Sequence, residues 1–274
     1  MESALSDESR GSYQSEGGIN MAGFILYEGA SLYDGKPIVV IATMETRNAK
    51  TGSGMIQTWV LLQDLNPIEA SRKGLDSSIC GNCPHMGKPS DKATGWAKER
   101  SCYVNLLHGP LGIWKAYRKG SYPKATPYQL SNLARDRMVR VGSYGDPSAV
   151  PLDIWLELVR YSKGWTAYTH AGVNPMPDLL MTSADTLGQA QAAWMKGERT
   201  FRVVSSVNDV AKGKEVLCPA SKEAGQRSTC ESCRLCNGAA SKASAKHGRS
   251  HAAKSIAIVA HGNGKKHIQQ GVLA

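Results

Sequence analysis

Seven cysteines are the residues of this chain best suited to chemistry, and they fall into two sets. The C-terminal set lies in "CPASKEAGQRSTCESCRLCNG" (218–238), where Cys218, Cys230, Cys233 and Cys236 follow the pattern C-x11-C-x2-C-x2-C. Two intervening residues let neighbouring thiolates turn onto one ion or cluster. A run of three such cysteines with a fourth nearby matches iron–sulfur ligation better than the separated C-x2-C pairs of zinc ribbons. The N-terminal set is Cys80-x2-Cys83, with Cys102 beyond a further eighteen residues. It reads either as a zinc site of Cys80, Cys83, His85 and Cys102, or as three thiolates on a cluster with one iron left open. His85 follows Cys83 by two residues, a tight spacing for both to reach one small ion. Three plus four is the partition expected of one working cluster and one closed auxiliary cluster. Two zinc staples around an α/β core fit the same spacings.

Such clusters need a scaffold and a compartment. Tight C-x2-C groupings and an odd cysteine count point to metal or redox work in a reducing cytoplasm rather than to structural disulfides. No run of eighteen apolar residues occurs, which argues against a membrane-spanning helix and a membrane partner. The N-terminal stretch "MESALSDESRGSYQSEGG" is polar and does not read as a secretory signal. Residues 1–20 are expected to form a disordered tail, with Met21 as an alternative start to Met1. Lys and Arg number 33 against 23 acidic residues, a net charge of +10, which favours phosphate-bearing partners such as nucleic acid or a nucleotide. Part of the excess lies in "SKASAKHGRSHAAK" (241–254), read as part of a flexible basic loop over 239–254. Residues 263–274 read as a C-terminal tail.

Between the tails, residues 21–262 read as one α/β domain. "PIVVIATM" (37–44) and "MIQTWVLL" (55–62) have the β-branched and aromatic content of strands, and a polar glycine-bearing link makes them a hairpin. Helical spacing then appears in "GPLGIWKAYRKG" and "TPYQLSNLARD", followed by a strand in "RMVRVGSYGDP". "VPLDIWLELVRYS" is amphipathic, with Ile154, Leu158 and Tyr161 near one face and Trp155 and Val159 beside them. "WTAYTH", "DLLMTSAD", "RTFRVVSS" and "SIAIVAHG" read as further strands, with "TLGQAQAAWMKG" as a helix closed by Gly197. Strands alternating with helices predict parallel pairing, in a barrel, complete or partial, or in an open sheet. Asp146, His170, Asp185, Ser205 and His261 then gather at strand C-termini, the edge where such folds collect catalytic groups. The bland reading is that strand ends meet solvent, with Asp185 capping the next helix.

In order, "CPH…SCYVN", "RVGSYGDP", "TAYTH", "LLMTSAD", "CPASKEAG…CESCRLC" and "KSIAIVAHG" resemble the phage gene-product-eighty-eight family of uncharacterised phage proteins, over about residues 50–262. That family in turn looks like a divergent radical S-adenosylmethionine barrel. The resemblance implies a partial, TIM-like α/β barrel with a cysteine-rich metal-binding C-terminal segment. It places Cys80, Cys83 and Cys102 on an active 4Fe-4S cluster, and Asp146, His170 and Asp185 around the barrel mouth as catalytic residues. Tyr103 and Asp146 fall to cofactor binding, because Cys102-Tyr103 is similar to the cysteine–aromatic end of the radical cluster motif. The chain departs from that motif in having C-x2-C-x18-C instead of C-x3-C-x2-C, and it has no Gly-Gly-Glu run.

Two functions follow as expectations. The first is an iron–sulfur enzyme using S-adenosylmethionine on nucleic acid or a nucleotide, served by an electron donor in the cytoplasm of a host bacterium. The second is a non-enzymatic nucleic-acid-binding protein stapled by two zinc sites, acting in phage replication or regulation. No G-x-S-x-G elbow and no phosphate-binding G-x4-G-K-[ST] loop is present, so those two catalytic classes are set aside.

Overall fold

A computed structural model describes residues 22–44, 51–52, 54–238, 254–261 and 265–269. The expected N-terminal tail with Met21, and the basic loop up to residue 253, lie outside the described residues. Within the expected C-terminal tail, Lys265–Gln269 is a short helix.

The first sheet has the order β1-β2-β3-β4-β5, formed by Gly23–Ala30, Pro37–Thr43, Ile56–Leu62, Met138–Tyr144 and Gly164–Thr166. β1, β2 and β3 are antiparallel neighbours, which bears out the hairpin, while β3, β4 and β5 run parallel. Ile38 to Ala42 of β2 are all 0 % exposed, so this strand is covered on both faces, as its unbroken apolar run requires. The second sheet has the order β6-β7-β8-β10-β9 and is parallel throughout. Its strands are Tyr168–Thr169, Met181–Ala184, Thr200–Val204, Ser255–Val259 and, at the far edge, Glu215–Leu217 (β9). Only Ala167 separates β5 from β6, and it accepts from Met181 N–H and donates to the Cys236 carbonyl. The segment "WTAYTH", expected as one strand, therefore passes from one sheet to the other and couples them. Among the described residues no strand pairing closes the array into a barrel.

Helices fill the crossovers. The link from β3 to β4 carries α1 (Pro67–Lys73), α2 (Ser77–Cys80), α3 (Gly109–Arg118) and α4 (Pro127–Asn132). The link from β4 to β5 carries α5 (Leu152–Val159), and that from β7 to β8 carries α6 (Leu187–Met195). In α5, Trp155, Leu158 and Val159 are buried, but Tyr161 lies past the helix end, exposed beneath the Arg135 guanidinium. α6 begins with a Thr186/Gln189 capping box, so Thr186 and not Asp185 caps it. One large apolar core runs from Ile25 to Leu180 around the first sheet, while the second sheet buries a much smaller cluster.

Candidate functional site

Side chains two apart on a strand share a face. Arg140 and Gly142 on β4, Phe201 and Val203 on β8, and Ile256 and Ile258 on β10 all border one cavity of about 290 Å³. Thr166, Tyr168 and His170 continue the same alternation through β5 and β6. That volume is near the lower end of small-molecule sites, roughly 300–1,000 Å³. All seven cysteines line this cavity, and none is disulfide-bonded. Of the polar strand-end residues, Asp146, His170, Asp185 and His261 reach it; Ser205 is exposed and does not.

Local backbone geometry assembles the N-terminal trio. Cys80 closes α2, and Cys83 N–H donates back to the Cys80 carbonyl across the turn at Gly81. A single 3-10 turn, Pro84–Met86, follows, and the His85 carbonyl accepts from both Ser101 and Cys102 N–H. One carbonyl thereby brings Cys102 to the Cys80–Cys83 turn despite the intervening chain. The turn is docked on the sheet by Asp146 N–H, which donates to the Ile79 carbonyl at 2.6 Å. Gly145 permits that approach: its φ is +79°, and a Cβ there would fall 2.6 Å from Val60 Cβ. Burial pushes the Cys80 thiol well up, with the nearby Asp76, Cys83, Cys102 and Asp146 charges adding to it. Burial also raises Cys102, against the opposing pull of Arg100.

The C-terminal four are fixed by equally local means. Cys218 extends β9, donating its N–H to the Ala257 carbonyl of β10. Cys230 and Cys233 sit on a one-turn helix, α7 (Cys230–Cys233), begun by a Thr229 capping box and ended by Arg234 at φ +57°. The Cys236 carbonyl receives Ala167 N–H at the junction of the two sheets. The Arg199 guanidinium holds the end of the segment, donating to the Leu235, Gly238 and Lys254 carbonyls and to Asn237 Oδ1. Burial and the charges of Cys218, Cys230 and Cys233 push the Cys236 thiol up to about 12, although the Tyr168 hydroxyl hydrogen-bonded to it works the other way.

Beside the trio lies a polar cluster. Asp185 Oδ1 is 3.0 Å from His85 Nε2 and 3.5 Å from His170 Nε2, and His85 Nδ1 is 2.8 Å from Ser101 Oγ. A Ser101 hydroxyl donating to His85 Nδ1 leaves the Nε2 proton to Asp185. Burial works against charge on His170, yet Cys83 and Asp185 outweigh it and hold its pKa well above the ordinary imidazole range. Burial likewise opposes ionisation of Asp185, but hydrogen bonds from His170 and His85 prevail and keep its carboxyl well below the usual range. Among the described residues, His85, His170 and Asp185 are the one group of three or more potential ligands whose donor atoms lie within 4.8 Å of one another. The spacing-based zinc set of Cys80, Cys83, His85 and Cys102 is therefore not what the geometry gathers: His85 turns to His170 and Asp185 instead.

Asp146, expected to act on substrate or cofactor, is occupied by the protein itself. Its Oδ1 accepts from Ser148 N–H at 2.9 Å and Thr169 Oγ1 at 2.8 Å, and its Oδ2 accepts from His170 N–H at 2.7 Å. Tyr103 does border the cavity, its Oη accepting from Arg140 Nη2 at 2.6 Å and its ring lying against His261. Arg140 and Ser101 carried no signal in the sequence: an arginine in a strand pattern and a serine before a cysteine are both ordinary. His85 was visible there only as a neighbour of Cys83. No family model matches the chain, and neither a curated protein nor a solved structure is significantly similar to it.

Proposed function

We propose that the protein is a metal–sulfur enzyme built on a partial, open TIM-like barrel, with a working site at Cys80, Cys83 and Cys102 and an auxiliary site at Cys218, Cys230, Cys233 and Cys236. The observation that carries this is that both thiol sets open onto one cavity formed by parallel strands. A structural zinc staple has no need to face a ligand-sized space. Four thiolates about one zinc, at a bond length near 2.3 Å, lie only about 3.8 Å apart. Among the described residues no three cysteine sulfurs gather within 4.8 Å of one another, and the choice of a 4Fe-4S cluster rests on the C-x2-C-x2-C spacing. When bound with three protein ligands, such a cluster supplies electron transfer and an open iron for a co-substrate, S-adenosylmethionine on the resemblance stated above.

The chain's own residues do the rest. His170, whose Nε2 lies 3.5 Å from the Asp185 carboxylate that His85 also meets, presents a protonatable ring to the cavity and can give a proton to a ligand there or take one from it. Asp146 orients His170 through its backbone N–H. Phe201, Val203, Ile256 and Ile258 make an apolar wall that excludes water from the reacting space. The net charge of +10 supports a nucleotide or nucleic acid as substrate, in the cytoplasm of a bacterial host where free thiols stay reduced.

Anaerobic purification followed by iron, sulfide and zinc analysis tests the proposal. The expected result is iron and sulfide for two clusters, with Cys80→Ala removing about half and Cys236→Ala the other half, since each set has its own ligands. Stoichiometric zinc without iron would sink it and leave the zinc-stapled nucleic-acid binder. A second reading rests on the His85–His170–Asp185 trio, whose composition is that of a divalent-metal site with two histidines and a carboxylate. It requires one further equivalent of metal that Asp185→Asn removes while sulfide stays unchanged.

A further inference from the structure

Among the described residues, several arginines that reach into the interior spend guanidinium N–H groups on protein oxygens. Arg202 forms a two-armed ion pair with Glu215 at 2.9 and 2.6 Å, Arg199 caps three carbonyls, and Arg100 reaches the Cys102 and Val104 carbonyls. Arg140 differs. It stands on a cavity-facing position of β4, and it donates to a phenol oxygen, Tyr103 Oη, at 2.6 Å. Among the described residues no carboxylate forms an ion pair with it. A half-buried guanidinium that borders the cavity with a rigid fork of donors, and with a phenol oxygen as its hydrogen-bond acceptor, is poised for a planar or tetrahedral oxyanion. Because Tyr103 Oη accepts from Arg140, its own proton is available to the same anion. Facing this pair, Phe201, Val203, Ile256 and Ile258 supply an apolar surface for the remainder of a ligand.

We propose that the cavity binds a small molecule bearing a phosphate or carboxylate, and that Arg140, with Tyr103 beside it, is the anchor for that group. The proposal deepens the reading of the cavity as a substrate site but does not depend on which metal the cysteines hold. A polymer could present only a terminal or flipped-out nucleotide to a cavity of about 290 Å³. The competing role for Arg140 is to balance the charge of the auxiliary thiolates, since Cys230 and Tyr168 both lie within electrostatic reach of it.

Calorimetric titration of the metal-loaded protein with AMP, adenosine-5′-carboxylate and adenosine separates these roles, because the three probes share the adenosine body and end at the 5′ position in a phosphate, a carboxylate or a hydroxyl. AMP or the carboxylate should bind about tenfold or more tightly than adenosine, and whichever binds better identifies the natural oxyanion. Arg140→Gln should erase that preference with metal and sulfide content unchanged, and Arg140→Lys should restore part of it, keeping charge without the fork. Circular dichroism confirms that each variant is folded. The proposal is overturned if all three probes bind alike or not at all, or if Arg140→Gln keeps the preference. It is also overturned if Arg140→Gln folds but loses half the metal, since Arg140 would then serve the auxiliary thiolates. Metal analysis of the same wild-type sample shows separately whether the metal–sulfur reading stands.

Discussion

Asp146 and Asp185 are equally prominent carboxylates, each following a parallel strand, and their surroundings give them different work. Asp185 offers one oxygen to two imidazoles. Asp146 is ringed by protein donors: two backbone N–H groups and the Thr169 hydroxyl. It is 8 % exposed, so water cannot replace what is lost there. An asparagine would keep one oxygen and turn an NH2 group toward a donor, whichever way it is flipped. Asp146→Asn should therefore cost about 1–3 kcal/mol of stability by urea denaturation, the penalty for a buried donor left without an acceptor. The Thr169–His170 strand end should loosen with it. A variant within about 0.5 kcal/mol of wild type, the range of ordinary surface substitutions, would return Asp146 to a role toward substrate.

At the scale of elements, the cysteine-rich segment has little regular structure of its own: α7 is a single turn, and β9 spans Glu215–Leu217. What holds it is a set of long-range hydrogen bonds, with Arg199 at their centre. Arg199→Met keeps the bulk but leaves buried carbonyls without donors, at an expected cost of about 2–4 kcal/mol from at least two such groups. The predicted readout is selective: metal analysis should show loss at Cys218, Cys230, Cys233 and Cys236, with the Cys80, Cys83 and Cys102 site retained. Equal loss from both sets would mean that Arg199 supports the fold at large. The same distinction between local and distant causes explains what could be read in the sequence. β2, β3, β4, β8, β10 and α6 announce themselves through short-range patterns of apolar and capping residues, and all were legible. β1 was not anticipated, and neither was β9, a three-residue edge strand whose Glu215 is buried only because Arg202 reaches it across β10. Asp185 looked like a helix cap because its neighbour Thr186, which is the cap, sits one residue away. His85 looked like a fourth ligand of its own cysteine set because spacing along the chain cannot show Asp185, a hundred residues on, at the other ring nitrogen.

Over the whole molecule, stability is distributed unevenly in a way that bears on the proposed metal sites. The first sheet is packed within a continuous apolar cluster that runs from Ile25 to Leu180 and includes Trp155, Leu158 and the 0 %-exposed stretch of β2. Among the described residues the second sheet's core cluster comprises Met181, Cys218, Ala220, Ile256 and Ile258, so one of its five members is itself a cysteine. Cys236 packs at the rim of that cluster, and its carbonyl receives Ala167 N–H at the sheet junction. A sheet with the smaller core cluster opens locally at lower free energy, and metal ligation that joins β9, α7 and the β5–β6 junction would add its binding free energy to folding there. Hydrogen exchange should therefore separate the two halves. In metal-free protein, amides of Thr200–Val204 and Ser255–Val259 should exchange about tenfold or more faster than in the metal-loaded form, while those of Pro37–Thr43 and Ile56–Leu62 change little. Cys236→Ala should reproduce the metal-free pattern in the second sheet, and Cys80→Ala should not. Uniform protection across both sheets with and without metal would show that the C-terminal cysteines contribute nothing to holding this half of the fold together.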